Sequence, residues 1–143
     1  MDQLLLPPVR KVDGTVDLPG SKSLSNRVLL LAAFARGKTE VHNLLESDDT
    51  KHMLDSLKSL GTDLVLSDDG TRCIVTGLGG PFPASNADLY LGASGTDIRL
   101  LCSAVCLGSG IFSLTGEPRM FERPIGDLVD PLTELGPEFQ YLK

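Results

Sequence analysis

Two segments of the chain repeat each other, and this repeat limits the possible folds more than any other feature. Leu18–Arg27 matches Tyr90–Arg99, and Gly20 and Gly92 correspond at an offset of 72 residues. Each copy places a turn of small residues after a short apolar stretch, begins a helix and ends in an arginine. Because the first turn of a helix has free N–H groups and a partial positive charge, it can bind an anion. The repeat therefore predicts a site for a multiply charged anionic ligand.

The repeat also predicts the fold class, an α/β chain of the α+β type built from βαβαββ units. We expect an N-terminal segment at 1–13 that is loosely ordered, a first unit at 14–84 and a second unit at 85–143 that lacks its last strand. The missing strand indicates an N-terminal piece of a longer protein. The first unit should contain strand Thr15–Leu18, buried helix Leu24–Arg36, strand Lys38–Leu44, a helix capped by Ser47, and hairpin strands Asp63–Leu66 and Arg72–Thr76. The second should contain strand Asp88–Leu91, helix Thr96–Leu107, strand Ile111–Thr115, a helix begun by Pro124, and strand Glu138–Leu142.

Composition narrows the class of partner. The chain has 143 residues, 41% of them hydrophobic, with a net charge of −6 and no long basic run. A globular domain is expected, and nucleic acid is disfavoured as the main partner. A basic pocket for a small anion remains compatible with an acidic protein. With three cysteines, no CxxC spacing, no signal peptide and no apolar run long enough to cross a bilayer, we expect a cytoplasmic protein that does not bind a membrane.

Lys22 is the first candidate site residue. It lies beside Ser21 and Ser23 at a predicted helix start, with Arg27 one turn later. A solvated lysine is the alternative. A nucleotide-binding P-loop does not fit, because that motif needs a glycine directly before the lysine.

The second candidate is Gly95-Thr96, where a glycine at a helix start would let a ligand approach the backbone. A plain turn is the alternative, and Arg99 could either bind the ligand or pair with an acid such as Asp97. The third candidate is the loop that carries Arg119 and Arg123. Neither histidine has metal-ligand spacing, no dinucleotide motif is present, and no cofactor is expected.

Four segments together closely resemble the 5-enolpyruvylshikimate-3-phosphate synthase family. They are Leu18–Arg27, Asn43–Asp49, Gly95-Thr96 with Arg99, and Thr115–Ile125. The resemblance implies a transferase of the shikimate pathway of aromatic amino-acid biosynthesis. It would move the enolpyruvyl group of phosphoenolpyruvate to the 5-hydroxyl of shikimate 3-phosphate and release phosphate. It also implies six βαβαββ units arranged in two barrel-like domains, of which this chain would hold about two and be inactive alone.

The resemblance also implies residue roles. Lys22 would be catalytic and contact both substrates, Ser23 and Arg27 would hold shikimate 3-phosphate, and Gly95 and Arg123 would hold phosphoenolpyruvate. Thr96 and Arg99 would line the same pocket. The C-terminal remainder of the enzyme would supply the proton-transfer acids and be the main protein partner.

The chain departs from the family pattern around Gly95, where the family usually has Asn-Ala-Gly-Thr-Ala-Met-Arg-Pro and this chain has Ala93-Ser-Gly-Thr-Asp-Ile-Arg-Leu100. Asp97 and Leu100 thus replace an alanine and a proline. A negative charge at Asp97 should favour the helix but disfavour an anionic ligand. Changes at the proline position are associated with reduced glyphosate sensitivity in the family, which predicts weaker inhibition here. The open alternatives are a non-catalytic anion-binding domain and the related UDP-N-acetylglucosamine enolpyruvyl transferases.

Overall fold

A computed structural model describes residues 3–142 of the chain. Met1 and Asp2 of the predicted N-terminal segment and Lys143 of the predicted second unit lie outside the described residues. In chain order the elements are α1 (Lys22–Phe34), β1 (Arg36–Val41), α2 (Asp48–Ser59), β2 (Asp63–Leu66), β3 (Cys73–Leu78), β4 (Asn86–Tyr90), α3 (Gly95–Val105), β5 (Ile111–Thr115), α4 (Pro118–Phe121) and α5 (Gly126–Glu134).

The first five elements form an antiparallel sheet with two helices. Strand β3 lies between β1 and β2 and pairs antiparallel with both. The predicted hairpin is present, with Leu64 opposite Val75 across β2 and β3. Ser47 caps α2 by accepting a hydrogen bond from the Thr50 N–H, as its sequence position predicts.

The next elements form a parallel strand pair with a crossover helix. β4 pairs in parallel with β5, and α3 connects them, so that their carboxyl ends lie at the same edge. The carboxyl end of β4 leads into the start of α3, and the end of β5 leads into the arginine loop. This connection brings the second and third candidate segments together. The division into units at 84 and 85 stays a prediction.

Two predicted strands are absent. Thr15–Leu18 and Glu138–Leu142 are irregular and carry no strand assignment, and Val16 and Leu18 are exposed. A strand needs a hydrogen-bonded neighbour, and no described segment pairs with either stretch. The described part of the predicted loose segment, residues 3–13, is also irregular and exposed.

Helix α1 is less buried than its composition predicts. Leu29 and Ala33 are fully buried, but Leu24 and Leu31 point to the surface. The buried side of α1 contacts both α2 and α3. It joins one core with residues from both halves of the chain, including Met53, Leu57, Leu89 and Leu101.

Candidate functional site

The start of α1 is held against the loop that precedes α2. Gly20 lies so close to this loop that an added Cβ would come within 2.6 Å of the Leu45 backbone nitrogen. The Leu45 N–H in turn donates to Ser25 Oγ at 3.1 Å. Ser21 is the N-cap, but its side chain makes no capping hydrogen bond, and the first turn of α1 has no acidic residue. The first turn therefore retains N–H groups that a ligand can use.

The start of α3 is built differently. Ser94, which is buried, caps the helix by accepting a hydrogen bond from the Asp97 N–H at 3.3 Å. Gly95 follows, and an added Cβ there would collide with the guanidinium group of Arg123. The missing side chain at Gly95 thus leaves the space that the Arg123 guanidinium occupies.

The two helix starts line one open pocket of about 670 Å³. Lys22 contributes from α1, and Gly95 with Thr96 from α3, so the structure brings together the segments that the repeat relates. Its lining residues are Lys22, Asp49, Ala93, Gly95, Thr96, Arg99, Arg123 and Pro124. Three cations and one carboxylate therefore face a single space, which favours an anionic ligand.

Arg99 connects α3 to the arginine loop. Its Nη2 donates a hydrogen bond to the Pro124 carbonyl at 2.6 Å, next to Arg123 in the chain. Arg99 does not pair with Asp97, because the Asp97 carboxyl group is buried and accepts a hydrogen bond from Asn26 instead. Pro124 precedes α5, which begins at Gly126 rather than at the proline.

Ser23 and Arg27 do not line this pocket. Both are exposed on the first turns of α1, where Arg27 Nη1 donates to the Ser23 carbonyl at 2.8 Å. Ser23 and Arg27 form a polar surface next to Lys22, outside the pocket. Their predicted role in holding shikimate 3-phosphate stays a prediction.

Lys22 is paired with a carboxylate that sequence reasoning did not place in the site. Its Nζ lies 2.8 Å from Asp49 Oδ2. Burial raises the pKa of Asp49, but hydrogen bonds from Lys22 and Ser94 and the charge of Lys22 outweigh it and hold that pKa below 3.8. The stabilisation is therefore present above pH 3.8 and lost as the pH falls through the lowered pKa.

Asp97 corrects one prediction from the sequence. It is fully buried and is absent from the lining of the pocket, so its carboxyl group does not face a ligand there. Instead, Asp97 Oδ1 accepts a hydrogen bond of 2.5 Å from Asn26 Nδ2 of α1. The residue connects two helices rather than repelling an anion.

Comparison with known proteins identifies the family to which this chain belongs. The family model described as EPSP synthase (3-phosphoshikimate 1-carboxyvinyltransferase) matches residues 6–143. The chain belongs to the EPSP synthase family.

Relatives within the family are close in sequence but much longer. The chain is 60% identical over 144 residues to the 3-phosphoshikimate 1-carboxyvinyltransferase of Shewanella amazonensis and 57% identical to that of a Sulfurovum species. Each alignment covers 100% of this chain and 34% of the relative. The chain thus spans about a third of the length of these EPSP synthases.

A solved structure supports the fold. The EPSP synthase from Acinetobacter baumannii superimposes with a TM-score of 0.78 at 30% identity, covering 91% of this chain and 29% of that chain. Among the described residues 3–142, no helix has the length and hydropathy needed to cross a bilayer.

Sequence reasoning found most of the pocket but missed Asp49, Ala93 and Pro124. A signal for Asp49 was available, since it lies in the Asn43–Asp49 segment that resembles the family. From the residues themselves, that part of the chain predicted only the helix that Ser47 caps. Its contact with Lys22 depends on how α1 packs against α2, which local sequence does not encode.

Proposed function

We propose that this chain supplies the N-terminal part of a 3-phosphoshikimate 1-carboxyvinyltransferase, an enzyme of aromatic amino-acid biosynthesis. That enzyme transfers the enolpyruvyl group of phosphoenolpyruvate to the 5-hydroxyl of shikimate 3-phosphate and releases phosphate. The observation that carries the proposal is the shared pocket, where Lys22 at one helix start and Arg123 over another face the same space.

The pocket is best suited to phosphoenolpyruvate. This ligand carries a phosphate and a carboxylate, and the pocket offers Lys22, Arg123 and the open backbone at Gly95. Thr96 and Arg99 complete its wall. Arg99 also holds the loop at Pro124, so it acts on the ligand and on the position of Arg123. Charge-assisted hydrogen bonds of this kind are short and strong.

Shikimate 3-phosphate is assigned to the adjacent surface of α1. Ser23 and Arg27 are exposed there, and Lys22 lies between this surface and the pocket. Lys22 can then contact both anions, which is why we assign it the catalytic role in this chain.

The chemistry expected of these residues is orientation and charge stabilisation. Holding both substrates in register removes much of the entropic barrier of a two-substrate reaction. Fixed cations stabilise the charge that develops in a tetrahedral intermediate and on the departing phosphate. Asp49 holds the Lys22 ammonium in place before the anions bind. The acids that move protons are assigned to the C-terminal remainder of the enzyme.

Two further properties belong to this proposal. We place the enzyme in the cytoplasm, and we expect no cofactor. Glyphosate should inhibit the enzyme only weakly, because Leu100 stands where the family usually has proline. Leu100→Pro should therefore increase glyphosate inhibition of phosphate release by a few fold in the complete enzyme. Unchanged inhibition curves would end this idea.

The proposal is tested by joining residues 1–143 to the C-terminal two thirds of the Shewanella amazonensis relative. Phosphate release from phosphoenolpyruvate should require shikimate 3-phosphate and should be lost in Lys22→Met. The Lys51→Met protein is the matched control, since Lys51 is exposed and pairs with Glu46 at 3.7 Å.

A second arm separates an enzyme from a binding module. The 143-residue chain is titrated with both ligands, with and without the C-terminal piece made separately. Activity restored on mixing supports a split enzyme. Binding without activity in either the mixture or the joined protein would favour a non-catalytic anion-binding domain and contradict the proposal.

A further inference from the structure

Asn26 and Asp97 form a fully buried polar pair between α1 and α3. Both side chains are 0% exposed, and Asn26 Nδ2 donates to Asp97 Oδ1. The pair connects the same two helices that carry Lys22 and Gly95 at their starts, and neither member of the pair lines the pocket. It therefore joins the two halves of the anion site without touching the ligand space.

If the Asp97 carboxyl group is ionised, the hydrogen bonding of this pair is incomplete. Asn26 Oδ1 and Asp97 Oδ2 are both buried, and neither has a hydrogen-bond partner among the described residues. Both atoms are acceptors, so they cannot satisfy each other. Buried polar atoms of this kind are costly unless a donor reaches them.

One proton resolves both deficits. If Asp97 Oδ2 carries a hydrogen, it becomes a donor, and Asn26 Oδ1 is the unpartnered acceptor on the side chain already bound to it. A carboxylic acid and a carboxamide can then exchange two hydrogen bonds, one in each direction. The pair becomes neutral and fully bonded, as a buried polar contact requires.

The surroundings also favour the neutral acid. The titratable groups that face Asp97 are Asp49 and His52 of α2, while α1 presents the uncharged Asn26. Burial raises the pKa of Asp97 to about 6, and the negative charge of Asp49 adds to this. The nearby Ser94 side chain, the hydrogen bond from Asn26 and the charge of His52 oppose the rise only in part. The Lys22 ammonium is already paired with Asp49.

We propose that Asp97 is a positioning residue that, when protonated, forms a reciprocal hydrogen-bonded pair with Asn26, and that its ionisation loosens α1 from α3 and disturbs the pocket they share. The link to phosphoenolpyruvate rests on the proposed function, but the state of the pair does not.

The direction of the pH effect follows from the raised pKa. The stabilisation from the protonated pair is fully present below 3.8, the ordinary value, and is lost as the pH rises through about 6. This is opposite to Asp49, whose lowered pKa makes its pair with Lys22 stronger as the pH rises. A titration can therefore separate the two carboxylates.

The direct test is a carbon-13 NMR titration of the aspartate carboxyl groups in the 143-residue chain, with Asp97 assigned by its absence in Asp97→Asn. We expect Asp97 to titrate near pH 6. The backbone amides of Lys22 and Gly95 should shift with the same midpoint. A midpoint at or below 3.8 would overturn the neutral pair, and unmoved amides would overturn the coupling to the pocket.

Asp97→Asn is the informative variant because an amide can also exchange two hydrogen bonds with Asn26 and cannot ionise. It should keep the fold and abolish the amide shifts near pH 6, whereas Asp127→Asn on the exposed side of α5 should leave them unchanged. If the amides still titrate near pH 6 in Asp97→Asn, another group is responsible and the proposal is wrong.

A ligand arm connects the pair to the proposed function. Because the phosphate of phosphoenolpyruvate itself titrates near pH 6, the useful quantity is the ratio of Kd in the original chain to Kd in Asp97→Asn. We expect this ratio to rise about threefold to tenfold between pH 5 and 8, and a flat ratio contradicts the coupling. Absence of binding at every pH would count against the proposed function alone, since the NMR titration still decides the state of the pair.

Discussion

Helices α1 and α3 begin within one residue of each other in the alignment of the repeat, but their first turns are completed in different ways. At α1 the Ser21 side chain makes no cap, no acid follows, and Lys22 brings a cation directly into the pocket. At α3 the Ser94 side chain caps the helix, and the acid that follows is buried. The cation over this second start comes from Arg123, on a distant loop.

The start of α1 is therefore open to a ligand, whereas the start of α3 is already hydrogen-bonded by its own N-cap side chain. An uncapped first turn leaves N–H groups for an incoming anion, whereas a capped turn has used part of its donors. The repeat therefore brings both helix starts to one pocket, and the local residues decide how each one contributes. Changes at one helix start should therefore have effects that differ from those of the matching change at the other.

Removing the cation of α1 should have the largest effect. Lys22→Met deletes a charge-assisted contact and leaves Asp49 unpaired in the pocket, so phosphoenolpyruvate should bind about 100-fold more weakly, or about 2.7 kcal/mol. Calorimetric titration measures this. Lys51→Met should bind as the original chain does, and equal losses in both variants would show a non-specific charge effect.

Adding a methyl group before α1 should destabilise the fold. Gly20→Ala drives a Cβ into the backbone of the loop from Asn43 to Leu45, which cannot move aside as a flexible side chain can. We expect a loss of about 2 kcal/mol in the free energy of unfolding, measured with urea. Gly80→Ala is the control, since its Cβ would meet nothing within 4 Å. A Gly20→Ala protein as stable as the control would refute the close approach.

The same change at α3 should act on binding more than on stability. In Gly95→Ala the new Cβ meets the end of the Arg123 side chain, which can swing away and leave the pocket. Phosphoenolpyruvate affinity should fall about tenfold, or about 1.4 kcal/mol, while urea stability changes little. Gly126→Ala, with open space at its Cβ, should change neither quantity. A stability loss without an affinity loss would count against Arg123 as a ligand contact.

Removing the N-cap side chains should give the smallest change in the free energy of unfolding. Ser94→Ala removes a capping hydrogen bond and should cost about 1 kcal/mol of stability. Ser21→Ala removes a side chain that caps nothing and should cost much less. Urea unfolding of the two variants compares them directly. Equal costs would mean that both helix starts are capped in solution.

Much of the fold and site follows from local sequence. The repeat predicts where α1 and α3 begin, and their equivalence predicts that Lys22 and Gly95 approach one space. Features that depend on packing between elements could not be predicted in this way. The pair of Lys22 with Asp49 and the burial of Asp97 arise from contacts of α1 with α2 and α3. The strand predicted at Thr15–Leu18 failed for a related reason, since strands depend on partners that hydropathy alone does not identify.

A single anion site shared by both helix starts is tested most directly by a phosphoenolpyruvate titration of the isotope-labelled chain, followed through backbone amide signals. We expect the amides of Lys22 and Ser23 in α1 and those of Gly95 and Thr96 in α3 to shift together with a single Kd. Shifts confined to one helix start, or two different dissociation constants, would contradict the claim that both starts serve one anion site.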